Sequence, residues 1–113
     1  MIETIVYEYL KRELAPTKVY FSIPNNPPDS FIVIEKTGSR EKNLINTSVI
    51  AIQSYGKDRL QDAADLNERV KRVMKRAIEL KQISACKKNT DGNFPDLKYN
   101  RQRYQAIYEI THY

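Results

Sequence analysis

Residues 49–74 (VIAIQSYGKDRLQDAADLNERVKRVM) constrain the fold more than any other segment, because a strand pattern changes to a helical one at Gly56. Before the glycine, apolar side chains occupy two alternating faces, as in a strand that is buried on both sides. After it, Asp58 and Gln61 have the spacing of a capping box, and an apolar stripe at helical spacing continues to about Leu80. The segment predicts a strand followed directly by a helix that crosses a small sheet.

The rest of the chain contains further segments with helix or strand periodicity. They predict a helix over residues 2–14 and strands over residues 19–23, 31–36, 47–55 and 101–113. Residues 24–29 form a proline-rich loop, and residues 86–96 are predicted to be a loop or a short strand. Strands grouped with two helices favour an α+β fold, with an antiparallel sheet of about four strands packed with two helices in the order α-β-β-β-α-(β)-β. A length of 113 residues predicts a single domain, residues 1–113.

The composition offers little for catalysis or metal binding. The chain contains one histidine, His112, and one cysteine, Cys86, so neither a nucleophile–base pair nor a zinc-ligand set is expected. Three acids near the predicted helix start, Asp58, Asp62 and Asp65, are better explained by the helix dipole than as metal ligands. We therefore expect no enzymatic activity, no metal and no cofactor.

The sequence predicts neither a disulfide nor contact with a membrane. A single cysteine cannot form an intramolecular disulfide, which is typical of proteins in reducing compartments. No run of 18 apolar residues is present. The N-terminal sequence MIETIVYEYLKREL lacks the basic region of a signal peptide. We expect a protein that is made in a cytoplasm.

The net charge of +5 comes from one segment. Residues 57–88 hold ten basic and five acidic side chains. Clustered cations can bind phosphate groups, and the candidate DNA-facing residues are Arg69, Arg72, Arg76, Lys87 and Lys88. A helix with acids in its first turns and bases in its last turns also matches its own dipole. A small basic nucleic-acid-binding module is therefore the alternative interpretation of function.

The clearest candidate contact surface is the polar segment of residues 38–46. It joins two predicted strands with more residues than a turn needs, and long hairpin loops are often functional. Two apolar residues lie within it, and they either extend a strand or dock on a neighbouring chain. Tyrosine is suited to protein interfaces, and the chain has eight. The candidate interface residues are Arg40, Lys42, Leu44, Ile45, Tyr55, Tyr104 and Tyr108.

Three segments together resemble the tail terminator proteins of long-tailed phages and prophages, which are also described as tail completion, head-tail joining or minor capsid proteins. The segments are IPNNPPDSFIVIEKTGS, VIAIQSYGKDRLQDAADLNERVKRVM and RQRYQAIYEITHY. In the second, Ala63 and Ala64 are small residues that let the helix lie close to the sheet. The likeness covers most of residues 19–113. The polar linker of residues 84–96 departs from the pattern and leaves the docking of the last strand open.

The resemblance implies a structural virion protein that is made in the bacterial host and located in the tail or neck. Such subunits form homo-oligomeric rings, commonly of six copies, at the head-proximal end of the tail. The implied partners are the tail tube protein, whose polymerisation the ring ends, and the head connector protein. DNA passes through such a ring, so a passive contact with DNA is also implied. A ring requires two different surfaces on each subunit, and exposed sheet edges and the hairpin are natural candidates.

Overall fold

In a computed structural model, which describes residues 1–57, 59–98 and 101–113, two helices lie against one face of a five-stranded sheet. This arrangement confirms the predicted α+β class. The elements are α1 (Ile2–Glu13), β1 (Lys18–Tyr20), β2 (Phe31–Lys42), β3 (Ile45–Gly56), α2 (Leu60–Met74), a 3-10 turn (Ala77–Glu79), β4 (Ile83–Asn93) and β5 (Gln102–His112).

The strand order across the sheet is β1-β2-β3-β5-β4. The pairs β2/β3, β3/β5 and β4/β5 are antiparallel, but β1 runs parallel to β2 with Lys18 opposite Phe31. The sheet is therefore mixed and has one more strand than predicted. β1 is also shorter than predicted, because the chain leaves the sheet after Tyr20.

The predicted polar linker is largely β4, an edge strand that pairs with β5 along its length. Most of its side chains are exposed, so it lacks the apolar alternation that identifies a strand in sequence. Its register shifts twice, leaving Ser84 and Asn89 as extra residues relative to β5. Bulges and lysines are common protections of an edge against unwanted strand pairing.

The main core lies between the sheet and the two helices. Its central residues from the strands are Ile32, Ile34, Ile50, Ile52, Ala106, Tyr108 and Ile110. They meet Val6 and Leu10 from α1 and Leu66 and Val70 from α2. The alternation predicted for β3 is confirmed, since Ile50 and Ile52 belong to this core. We call the opposite surface of the sheet the open face, because both helices pack on the core side.

A second, smaller cluster covers one end of the open face. Phe31 and Tyr55 stack there with their ring centroids 4.5 Å apart, next to Val33. Tyr20 at the end of β1 and Ile23 just before the proline-rich loop pack against this cluster. The loop is also held to the start of β5, because Arg101 donates a hydrogen bond to the carbonyl oxygen of Pro28 at 3.2 Å.

The strand-to-helix junction depends on a close approach at Gly56. A Cβ atom at this position would lie 2.9 Å from the backbone nitrogen of Ala63, so only glycine fits without displacement. The helix begins at Leu60 with Arg59 as its N-cap residue. The capping role predicted for Asp58 lies outside the described residues.

Helix α2 is shorter than predicted, and the ion pairs along it join residues three positions apart. It ends at Met74 rather than near Leu80, because the chain turns there towards β4. The i,i+4 spacing of Asp65 with Arg69 and of Glu68 with Arg72 would allow two ion pairs, but neither is formed, since other partners are nearer. Asp62 pairs with Arg59 at 2.8 Å, Glu68 with Lys71 at 2.8 Å, and Asp65 accepts a hydrogen bond from Gln61 at 2.7 Å.

Candidate functional site

The segment expected to be a long loop is instead a tight hairpin. Strands β2 and β3 pair as far as Lys42 and Ile45, so only Asn43 and Leu44 form the turn. Both have positive φ angles, 52° and 66°, as type I′ turns require. β5 ends opposite Asn46, so the turn extends beyond the neighbouring strand. The prediction of a long loop over residues 38–46 is therefore wrong, because the polar residues alternate along two strands.

Leu44 is an unusual residue for its position in this turn. The left-handed conformation costs a non-glycine residue about 1–2 kcal/mol, and asparagine or glycine is usual there. The side chain packs little against the rest of the subunit, since it is 87% exposed. Beside it, Ile45 is 48% exposed, so the turn presents two adjacent apolar side chains to solvent. The choice of leucine is costly for the isolated subunit.

Two cations flank these apolar residues. Arg40 and Lys42 are exposed and lie on the open face together with Ile45. Arg40 pairs with Glu109 of β5 at 2.9 Å across the open face. We define the hairpin tip as Arg40, Lys42, Asn43, Leu44 and Ile45. The structure therefore brings together the four candidate interface residues predicted in this segment.

Two of the three predicted interface tyrosines are buried in the folded subunit. Tyr55 is 1% exposed and Tyr108 is 4% exposed, so neither belongs to the surface of the folded subunit. Burial raises the pKa of both phenols above the ordinary value. Tyr104 is half-buried. The expectation of a tyrosine interface is corrected for Tyr55 and Tyr108, because their side chains pack inside the molecule.

Tyr55 is part of a buried polar network that the sequence did not predict. Its hydroxyl donates to Asp96 at 3.1 Å and accepts a hydrogen bond from Arg103 at 2.9 Å. Arg103 also donates to the carbonyl oxygen of Phe94 at 2.7 Å and lies over the Phe94 ring. The network joins the ends of β3 and β5 to the segment after β4. No local sequence signal links residues so far apart in the chain.

A basic cleft of about 340 Å³ lies between α2 and β4, and we call it the α2–β4 cleft. Its lining residues are Glu68, Lys71, Arg72, Lys75, Cys86, Lys88 and Tyr108. Asp91 lies at the border of the cleft. Its carboxylate forms ion pairs with Lys71 at 3.2 Å and with Lys88 at 2.8 Å. The hydrogen bond from Lys88 is the main cause that holds the pKa of Asp91 below its ordinary value.

The five candidate DNA-facing residues do not form one patch. Arg72 and Lys88 line the α2–β4 cleft. Arg76 lies beyond the end of α2 and pairs with Glu13 at 3.1 Å, so it does not continue a helical face. Lys87 is on the open face, opposite Glu109, and Arg69 is exposed on α2. Sequence reasoning missed Lys71 and Lys75, because the partner strand β4 was not predicted.

His112 takes part in a hydrogen bond between strands, and Cys86 is a half-buried free thiol. The Nε2 atom of His112 is hydrogen-bonded to the Ser48 hydroxyl at 2.8 Å. Cys86 is half-buried at the base of the α2–β4 cleft, and burial raises the pKa of its thiol to about 11. Within residues 1–57, 59–98 and 101–113, no group of three or more histidine, cysteine or acidic side chains is placed to hold a metal ion. No helix in these ranges is long and apolar enough to cross a membrane.

Comparison with known proteins does not assign the chain to a family. No family profile matches the sequence. A search of curated proteins finds no significant match either.

Proposed function

We propose that this protein is a structural subunit of the tail of a long-tailed phage or prophage. It assembles as a homo-oligomeric ring at the head-proximal end of the tail, ends polymerisation of the tail tube and joins the tail to the head connector. The proposal is supported by the resemblance of the three sequence segments and by an α+β fold with two helices on one face of the sheet.

The observation that carries the proposal is Leu44. A strained backbone conformation that persists at an exposed position is a reason to look for a function there. A leucine with a φ of 66° and 87% exposure costs the folded subunit free energy, and it buries little apolar surface in return. Insertion of Leu44 and Ile45 into an apolar surface of a neighbouring subunit recovers that free energy, by roughly 1.5–3 kcal/mol for each fully buried side chain.

A ring requires that two different patches meet at each contact. The hairpin tip is a compact projection at one end of the sheet, beyond the last residue pair of β5. In the proposed ring, the hairpin tip meets a different surface on the next subunit. The flanking Arg40 and Lys42 then orient the contact by charge.

The test is size-exclusion chromatography with light scattering, at several protein concentrations, on three proteins. The wild type is expected to form a ring of defined mass. Leu44→Gly is expected to be a folded monomer, because glycine accepts the turn and removes the contact. Leu97→Gly is the matched control, since Leu97 is 88% exposed at a position outside the hairpin tip, and it is expected to form the wild-type ring.

Two results contradict the proposal. One is a wild-type protein that is monomeric at every concentration and also fails to co-sediment with purified tail tubes. The other is a ring of unchanged mass and stability in Leu44→Gly.

A further inference from the structure

A bulge in β4 builds one wall of the α2–β4 cleft. Residues three apart in a regular strand point to opposite faces, because side chains alternate. The extra residue Asn89 changes this alternation, so Lys88 and Asp91 both face α2 and pair with each other at 2.8 Å. Asp91 also binds Lys71 of α2 at 3.2 Å, which connects the two walls of the cleft.

The charges in the cleft do not balance. Four cations line it, Lys71, Arg72, Lys75 and Lys88, whereas the acids are Glu68 in the lining and Asp91 at the border. Both acids are already paired with Lys71 or Lys88. Among the described residues, Arg72 and Lys75 have no carboxylate within 4.0 Å, although an arginine and a lysine are the usual partners of anions. Within the part of the chain that the structure describes, the cleft therefore carries two cations without a carboxylate partner.

We propose that the α2–β4 cleft binds the phosphodiester backbone of double-stranded DNA. Lys75 follows directly after α2, three residues from Arg72, so the two cations form a short row of about one helical turn on the α2 side of the cleft. Such a row suits successive phosphates of a backbone better than a single free phosphate.

The binding is expected to be independent of base sequence. The base of the cleft is formed by Cys86 and the buried Tyr108, and neither extends a group that can read a base edge. Affinity then comes from phosphate contacts and from the release of counterions, so it decreases steeply with salt. This inference is independent of the proposed ring, because it depends only on the charges and shape of one subunit.

The experiment measures fluorescence anisotropy of a labelled DNA duplex between about 50 and 200 mM salt, a range in which phosphate contacts weaken strongly. The cleft variant is Arg72→Gln/Lys75→Gln. The matched control is Lys11→Gln/Lys18→Gln, which removes the same charge from exposed residues of α1 and β1. Circular dichroism and the thermal midpoint verify that both variants are folded.

The wild type is expected to bind, with an affinity that falls with salt. The cleft variant is expected to lose about tenfold in affinity at low salt, and its salt slope is expected to fall by about 1.8, since each phosphate contact contributes about 0.9. The control is expected to keep the wild-type slope. Three results overturn the proposal: no wild-type binding at about 50 mM salt, equal losses in the two variants, or binding to vesicles of phosphatidylglycerol without binding to DNA.

Discussion

Tyr55 and Asp96 form a buried hydrogen bond, in which the phenol hydroxyl donates to the carboxylate Oδ2 at 3.1 Å. The two residues are only 1% and 7% exposed, so water does not replace a lost partner easily. The bond fixes the end of β3 to the segment between β4 and β5. It is a structural element of the fold rather than part of a contact surface.

We predict that Tyr55→Phe destabilises the protein. The variant keeps the stacked ring on Phe31 but removes the hydrogen bonds to Asp96 and Arg103. The expected loss in the free energy of unfolding is about 1–3 kcal/mol, as measured by urea denaturation. Tyr113→Phe, at a 79% exposed position, is the control and is expected to leave the free energy unchanged. Equal stability of the two variants would show that the buried network contributes nothing.

A second prediction concerns the two glycines of β2 and β3. At Gly56 an added Cβ would lie 2.9 Å from the Ala63 nitrogen, so Gly56→Ala must displace β3 from the start of α2. The expected cost is about 1–3 kcal/mol, which is typical of an overpacked site. At Gly38 nothing lies within 4 Å, so Gly38→Ala is expected to be neutral or slightly stabilising. A neutral Gly56→Ala would contradict the close packing of strand and helix.

Leu44→Gly is expected to raise the stability of the subunit. The change removes a strained left-handed conformation of a leucine and loses little packing, because the side chain is 87% exposed. Relief of the strain is expected to add about 1 kcal/mol to the free energy of unfolding. The larger conformational entropy that glycine gives the unfolded chain reduces this gain. The measurement uses urea denaturation at a concentration where the protein is monomeric. A destabilised Leu44→Gly would mean that the leucine contributes to the fold of the single subunit.

Alkaline pH is expected to destabilise the protein partly through Cys86. Burial raises the pKa of its thiol from 9.0 to about 11, so the folded state keeps the proton when the unfolded state has lost it. The contribution is fully present below pH 9.0 and is lost as the pH rises towards about 11. We expect the loss of stability to start at a higher pH in Cys86→Ala than in the wild type. Identical pH profiles of the thermal midpoint would contradict this.

The sequence predicted the elements with strong periodicity and missed those that depend on tertiary context. Ile50 and Ile52 of β3 and Leu66 and Val70 of α2 lie in the core, as their spacing predicted. Such faces can be predicted because buried apolar residues recur at the period of the strand or helix. β4 was not predicted because it lies at an edge, exposes most of its side chains and contains two bulges. The hairpin was predicted as a loop for a similar reason. Arg40, Glu41 and Lys42 place polar side chains on both faces of β2, so the apolar alternation of a strand is missing there.

For the candidate sites, too, some residues could be identified from the sequence and others could not. The exposed tip residues Leu44 and Ile45 were identifiable because apolar residues in a polar segment stand out. The α2–β4 cleft was not, because half of it belongs to a strand with no strand signal. The role of Tyr55 was misjudged, since residue type alone does not distinguish a buried tyrosine from one at an interface.

The most direct test of the proposed function is the length of the tail tubes that are made after the gene is disrupted in the genome that carries it. Electron microscopy of the lysate is predicted to show tubes of variable, extended length and heads without tails. Expression of the wild-type protein from a plasmid is predicted to restore uniform tails joined to heads, whereas Leu44→Gly restores neither. Tails of normal length joined to heads in the absence of the protein would contradict the account.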